Sequence, residues 1–166
     1  MSYSIVYSSR TGNTKMLADC IKETLPQDEC VYFGELNDDA LKADRIYVGF
    51  WTDKGRCDDL TVEFLKLIDH QEVFLFGTAG FGQGQTYFDN LIKKTKTFLK
   101  PETKVVGTYM CQGKMPMSVR ERYEKMLKMP VPAKNLKMLI ENFDQALTHP
   151  DQHDLDMLAE KIKENI

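Results

Sequence analysis

Along the chain, short runs of β-branched and aromatic residues alternate with stretches whose apolar positions recur every three or four residues. Residues 3–8 (YSIVYS) are the first such run and read as a strand. After SRTGNT, Met16, Leu17, Cys20, Ile21 and Leu25 fall at helical spacing, and Pro26 ends that helix. Residues 30–36 (CVYFGEL) and 45–50 (RIYVGF) read as the second and third strands, the latter more continuously apolar. The WTDKGRC loop leads into a helix over 58–68, with acids in its first turn and Leu60, Phe64, Leu67 and Ile68 expected to face inward. Residues 72–77 (EVFLFG) are a fourth strand, TAGFGQGQ the loop after it, and 87–99 a helix stopped before Pro101. The fifth strand is 104–111 (KVVGTYMC), and helices are expected over about 117–129, 136–147 and 151–166. Pro130 and Pro132 break the first junction between these helices, and THPDQHDL reads as a stop followed by an acid-rich helix start.

Strand alternates with helix five times. That pattern predicts an α/β fold, a doubly wound five-stranded parallel sheet with helices on both faces. A single domain is expected over 1–166, with 130–166 a C-terminal helical extension. In such sheets ligands bind beyond the carboxyl ends of the strands. The loops there that are richest in glycine, hydroxyl or aromatic residues are 9–14, 51–57 and 78–85.

Composition narrows the classes. With 42% apolar and 28% charged residues, the chain has the makeup of a globular domain, and disorder or coiled coil does not fit. No apolar run approaches the roughly 20 residues of a membrane span, and the opening MSYSIVYSSR shows no basic leader followed by an apolar stretch. Cys20, Cys30, Cys57 and Cys111 match neither a disulfide scaffold nor a paired metal spacing, so a reduced cytoplasmic protein without a metal is expected. Cys57 and Cys111 fall near the ligand ends of their strands, where Arg56 or Lys114 would favour a thiolate; inert thiols are the other reading. Charge is uneven: residues 93–137 carry twelve bases and three acids, whereas 141–166 carry seven acids and two bases. The basic stretch suits a docking face or a solvated lysine-rich surface, and no nucleic-acid-binding motif accompanies it.

Between the first strand and the first helix stands Ser8-Ser9-Arg10-Thr11-Gly12-Asn13-Thr14. A helix start offers unpaired N–H groups and a positive dipole end, Gly12 permits a tight turn, and the hydroxyls add donors. A P-loop and the G-x-G-x-x-G fingerprint are both missing, which leaves a nest suited to a phosphomonoester or a simple N-cap. The run Ser9-Arg10-Thr11-Gly12-Asn13-Thr14 resembles the phosphate loop T/S-x-T-G-x-T of the flavodoxin family, and the resemblance extends over about residues 3–125. It implies the strand order 2-1-3-4-5, with FMN as cofactor at the switch point.

The resemblance also implies roles for the other loops. Trp51, within Trp51-Thr52-Asp53-Lys54-Gly55, would cover one flavin face. A nearby peptide, with Gly55 as candidate, would turn over to meet the flavin N5–H on reduction. Thr78, Ala79, Gly80, Phe81 and Gly82 would hold the other face and the pyrimidine edge, with Phe81 stacking there or packing with Tyr87 into the core. Asp53, Asp58 and Asp59 either place charge at the flavin rim or, for the latter two, serve as helix N-terminal acids. No catalytic side chain is expected. The implied function is electron transfer between a reductase and a redox enzyme, by a monomer or weak homodimer that binds neither nucleic acid nor membrane. The alternatives are an NAD(P)H-dependent FMN or quinone reductase of the same superfamily, or an accessory flavin domain of a dedicated reductase system. A closer likeness, through GFWTDKG, FGTAGFG and CQGK, is to small flavodoxin-like proteins of anaerobes, some associated with bilirubin-reducing systems. Two features depart from typical electron carriers: the chain is not acidic throughout, and the fifth strand is uninterrupted.

Overall fold

A computed structural model describes residues 1–131 and 133–166. The strands are β1 (Tyr3–Tyr7), β2 (Cys30–Glu35), β3 (Arg45–Asp53), β4 (Arg56–Cys57), β5 (Glu72–Ala79) and β6 (Val105–Gln112). The helices are α1 (Asn13–Thr24), α2 (Asp59–Leu65), α3 (Gln85–Lys96), α4 (Met117–Leu127), α5 (Leu136–Ala146) and α6 (Gln152–Lys163). The long strands pair in parallel in the order β2-β1-β3-β5-β6. This is the expected five-stranded doubly wound sheet, with the two-residue β4 added antiparallel to β3. The order reverses between β1 and β3, so the crevice at their carboxyl ends is the switch point.

Alternation along the central strands sends apolar side chains to both faces, as a sheet covered on both sides requires. Tyr3, Ile5, Tyr7, Tyr47, Phe74 and Phe76 pack beneath α1 and α6 with Leu17, Ile21, Leu158 and Ile162. Val6, Ile46, Val48, Phe50, Val73 and Leu75 face α2 and α3 with Phe64, Leu65, Leu91 and Ile92. Within α2 the inward positions differ from the sequence expectation. Leu60 and Leu67 are exposed, while Thr61, Val62, Phe64 and Leu65 are buried. Phe64 and Ile68 face inward as expected, but the helix begins at Asp59 and ends within two turns, which leaves Leu60 and Leu67 at its two ends on the water side.

The residues expected as a C-terminal extension divide into two parts. Helix α5 pairs with α4, which precedes the extension, in a hairpin that closes on its own small cluster of Tyr123, Leu136 and Phe143. Helix α6 instead inserts Leu158 and Ile162 into the sheet core. Its start is set by a capping box, in which Asp151 and Asp154 each accept the other's backbone N–H. Pro130 lies in the turn after α4, and Pro132 falls outside the described residues. Among the described residues no helix is long and apolar enough to cross a membrane.

Leu158→Ala should cost about 2–5 kcal/mol in urea unfolding, because it empties a fully buried site in α6. Leu60→Ala should stay within about 0.5 kcal/mol, since its side chain already faces water.

Candidate functional site

At the carboxyl ends of β1, β3, β5 and β6 lies a cavity of about 430 Å³. The loop after β1 contributes Arg10, Thr11 and Asn13; β3 and its turn contribute Trp51, Thr52, Asp53 and Gly55; β5 and the chain beyond contribute Thr78, Ala79, Gly80 and Phe81. Eleven of the fifteen residues singled out from the sequence therefore share one lining. The other four stand off it. Thr14 is buried, donating its hydroxyl to the Phe50 carbonyl at 3.1 Å and lying 3.3 Å from the Thr78 hydroxyl. Ser9 accepts the Lys15 N–H at 3.3 Å and faces a separate shallow pocket with Tyr7 and Leu36. Gly12 shapes the helix start through its backbone, and Gly82 donates its N–H to Asn142 Oδ1 at 3.4 Å.

The start of α1 is built for an anion. Gly12 precedes the helix at φ +89°, a conformation that L side chains avoid, and has no side chain to offer the first turn, where Ser9 Oγ takes only the Lys15 N–H. The first turn holds no acid. Among the described residues, the backbone N–H groups of residues 10–14 have no hydrogen-bond acceptor. Such uncapped amides and the positive dipole end together favour a phosphate.

Side-chain bonds lock this start to its neighbours. Asn13 is buried, and its Nδ2 donates to the Lys114 carbonyl at 2.8 Å. A Cβ on Gly113 would fall 2.6 Å from that same nitrogen, so the turn after β6 needs glycine there. Thr52 donates its hydroxyl to the Thr78 carbonyl at 2.8 Å, tying β3 to β5.

Strand β3 runs on through Asp53, so Trp51 is a strand residue paired with Thr78, and the expected loop over 51–57 is a β-hairpin. Its two turn residues, Lys54 and Gly55, both have positive φ, as a tight type I′ hairpin turn demands. Trp51 is half-buried, and the Arg10 guanidinium lies 5.4 Å from its ring centroid. Asp58 is no rim charge. It is the buried N-cap of α2, accepting from the Ser8 hydroxyl at 2.7 Å and from Thr61.

Several lining residues carried no sequence signal for this role. Gly113, Lys114, Met115 and Pro116 follow β6, and Val119, Arg122 and Tyr123 come from α4. Asn142 of α5 reaches the same region, donating to the Gly80 carbonyl at 3.0 Å. The CQGK segment was the only trace of this wall in the sequence, and nothing local in it says that a helical hairpin closes the cavity. Tyr87 also lines it, and burial pushes its phenol up, which keeps it neutral.

Arg56 and Lys114 do not activate the thiols. Desolvation pushes Cys57 up to about 11 and raises Cys111 further still. The cluster His149, Asp151 and Asp154 is the one group of metal-ligating types found among the described residues, and its oxygens are engaged in the α6 cap.

The fold and the uncapped helix start next to an aromatic wall define a flavodoxin-type protein. A flavodoxin domain model matches residues 4–163, and the chain belongs to the flavodoxin family. It is 41% identical over 172 residues to the flavodoxin-like domain-containing protein BilS of Clostridium symbiosum (strain WAL-14163), covering 93% of this chain and 90% of that one. Oxidised flavodoxin 2 from Bacillus cereus superposes with a TM-score of 0.59 at 18% identity, covering 100% of both chains. A flavoprotein from Lactobacillus acidophilus NCFM, solved in complex with FMN, superposes with a TM-score of 0.51 at 15% identity, over 74% of this chain and 98% of that one. FMN is the cofactor of this family, and the donor set here fits it: free amides for the phosphate and a half-buried indole for the ring.

With both thiols buried and protonated, Ellman's reagent at about pH 8 should leave Cys57 and Cys111 untouched in the native protein and label them only after urea is added.

Proposed function

We propose that the cavity holds FMN and that the protein passes electrons between a reductase and a redox enzyme. One observation carries this reading: the uncapped, acid-free start of α1 opens into the same cavity as Trp51. The backbone N–H groups of residues 10–14, helped by the Thr11 hydroxyl, bind the phosphate. Trp51 orients the ring by stacking, a contact for which its flat indole is suited. The backbone of Gly80 and Phe81, with Thr78 and Ala79 beneath, borders the ring edge. Thr14 and Asn13 brace the cradle from behind, and Ser9, Gly12 and Gly82 serve it through local backbone geometry. When bound, the flavin supplies the redox chemistry, while the chain contributes position, stacking and local charge. The hairpin turn at Lys54-Gly55 is the place for a peptide to reorient toward the ring, because both residues already occupy positive φ. Four free thiols support a reducing cytoplasmic compartment.

Apoprotein titrated with FMN should quench the flavin fluorescence at micromolar protein, and absence of quenching removes the reading altogether. Trp51→Ala should weaken FMN binding by about 1–3 kcal/mol, a loss of roughly 5- to 150-fold. Mixed anaerobically with NADPH and no reductase, the holoprotein should keep its flavin absorbance. Rapid bleaching would instead assign it as an NAD(P)H-dependent reductase.

A further inference from the structure

The mouth of the cavity has an electrostatic character opposite to that of the whole chain. The protein carries a net charge of −3. Yet Arg10, Lys54, Lys114 and Arg122 all line the cavity, and Asp53 is the only carboxylate in that lining. A fifth cation joins them, since the Lys94 ammonium lies 3.5 Å from where a Cβ on Gly55 would stand. All but Lys94 are read directly from the lining, and Arg10, Lys54, Lys94, Lys114 and Arg122 are exposed. Among the described residues none of the five enters an ion pair, whereas Arg45, Arg56 and Arg120 elsewhere all do.

The five cations come from five separate elements: the β1–α1 loop, the β3–β4 turn, α3, the β6–α4 connection and α4. A single bound phosphate engages one helix start and leaves such a ring mostly unneutralised. Charges spread around a rim suit a broad opposing face. Half-buried Phe81 and Val119 in the same lining add apolar contact, which favours a protein face over a nucleic-acid backbone.

We propose that the redox partner of this protein presents an acidic, carboxylate-rich face that docks over the cavity mouth on Arg10, Lys54, Lys94, Lys114 and Arg122. The proposal rests on the FMN electron-transfer reading above. Complementary charge of this kind accelerates encounter and is screened by salt, because the Debye length at 0.1 M is only about 10 Å.

The test uses the FMN-saturated holoprotein and a reduced plant-type ferredoxin, an acidic one-electron donor. One electron leaves the [2Fe–2S] cluster and enters the flavoprotein, leaving oxidised ferredoxin, and no atom is transferred. The second-order rate should fall by about tenfold or more as salt rises from low to physiological ionic strength. Oxidised mitochondrial cytochrome c, a basic acceptor for the reduced holoprotein, should show the reverse trend. The combined variant Lys94→Glu and Arg122→Glu, also FMN-saturated, should lose about tenfold or more of the ferredoxin rate at low salt. Its reduction by the 5-deazariboflavin radical, a small uncharged one-electron donor formed by illumination in the presence of EDTA as sacrificial reductant, should be unchanged. A ferredoxin rate that is flat or rises with salt overturns the proposal, as does tight capture of a single-stranded DNA 20-mer alongside a flat ferredoxin profile. Protein that takes up no FMN overturns the underlying reading instead, so the two failures are distinguishable.

Discussion

The clamp that fastens the start of α1 to the ends of the neighbouring strands is the constraint on which the site depends. Thr14 bonds backward to β3, and Asn13 bonds across to the turn after β6. Both side chains satisfy carbonyls rather than their own helix's N–H groups. The first turn is thereby held in place with only its Lys15 N–H taken, by Ser9, and the amides of residues 10–14 remain available to a ligand. A serine or aspartate cap would stabilise the helix by about 1 kcal/mol and occupy one of those donors. The chain forgoes that local gain, and the sheet supplies the rigidity in its stead.

The same clamp sets the aromatic wall and the helix start in one frame, as the proposed FMN site requires. Trp51 is held in register opposite Thr78 by strand pairing, and Thr52 ties the two strands once more beyond it. The aromatic wall is therefore fixed relative to the helix start by backbone hydrogen bonds as well as side-chain packing. Rigid placement of this kind lowers the ordering cost that binding must meet.

The sheet was legible because its signal is periodic and local. Runs such as YSIVYS and EVFLFG declare strands by themselves, and the turn chemistry between them marks the loops. The loop after β1 was legible for a different reason: its hydroxyl and glycine residues sit at one fixed place, between a strand and a helix. Leu60 and Leu67 misled because hydrophobicity alone does not say where a short helix begins, and the Asp58 cap starts this one. Trp51 reads as a loop residue in the sequence because the strand continues into a hairpin whose turn residues, Lys54-Gly55, are not the usual Asn-Gly. That α4 walls the cavity was not legible in its own residues. Its placement follows from how α4 and α5 pack on one another, and from Asn142 meeting a carbonyl 62 residues away in sequence.

The α4–α5 hairpin has a consequence for motion. Its cluster of Tyr123, Leu136 and Phe143 shares no buried member with the two clusters that grip the sheet. Sub-global opening there breaks that small cluster and the polar links of Asn142 to Gly80, Gly82 and Gln112. Amide protons of α4 and α5 will thus exchange with deuterium sooner than those of the central strands, and one side of the chamber can breathe while the end at the start of α1 stays shut.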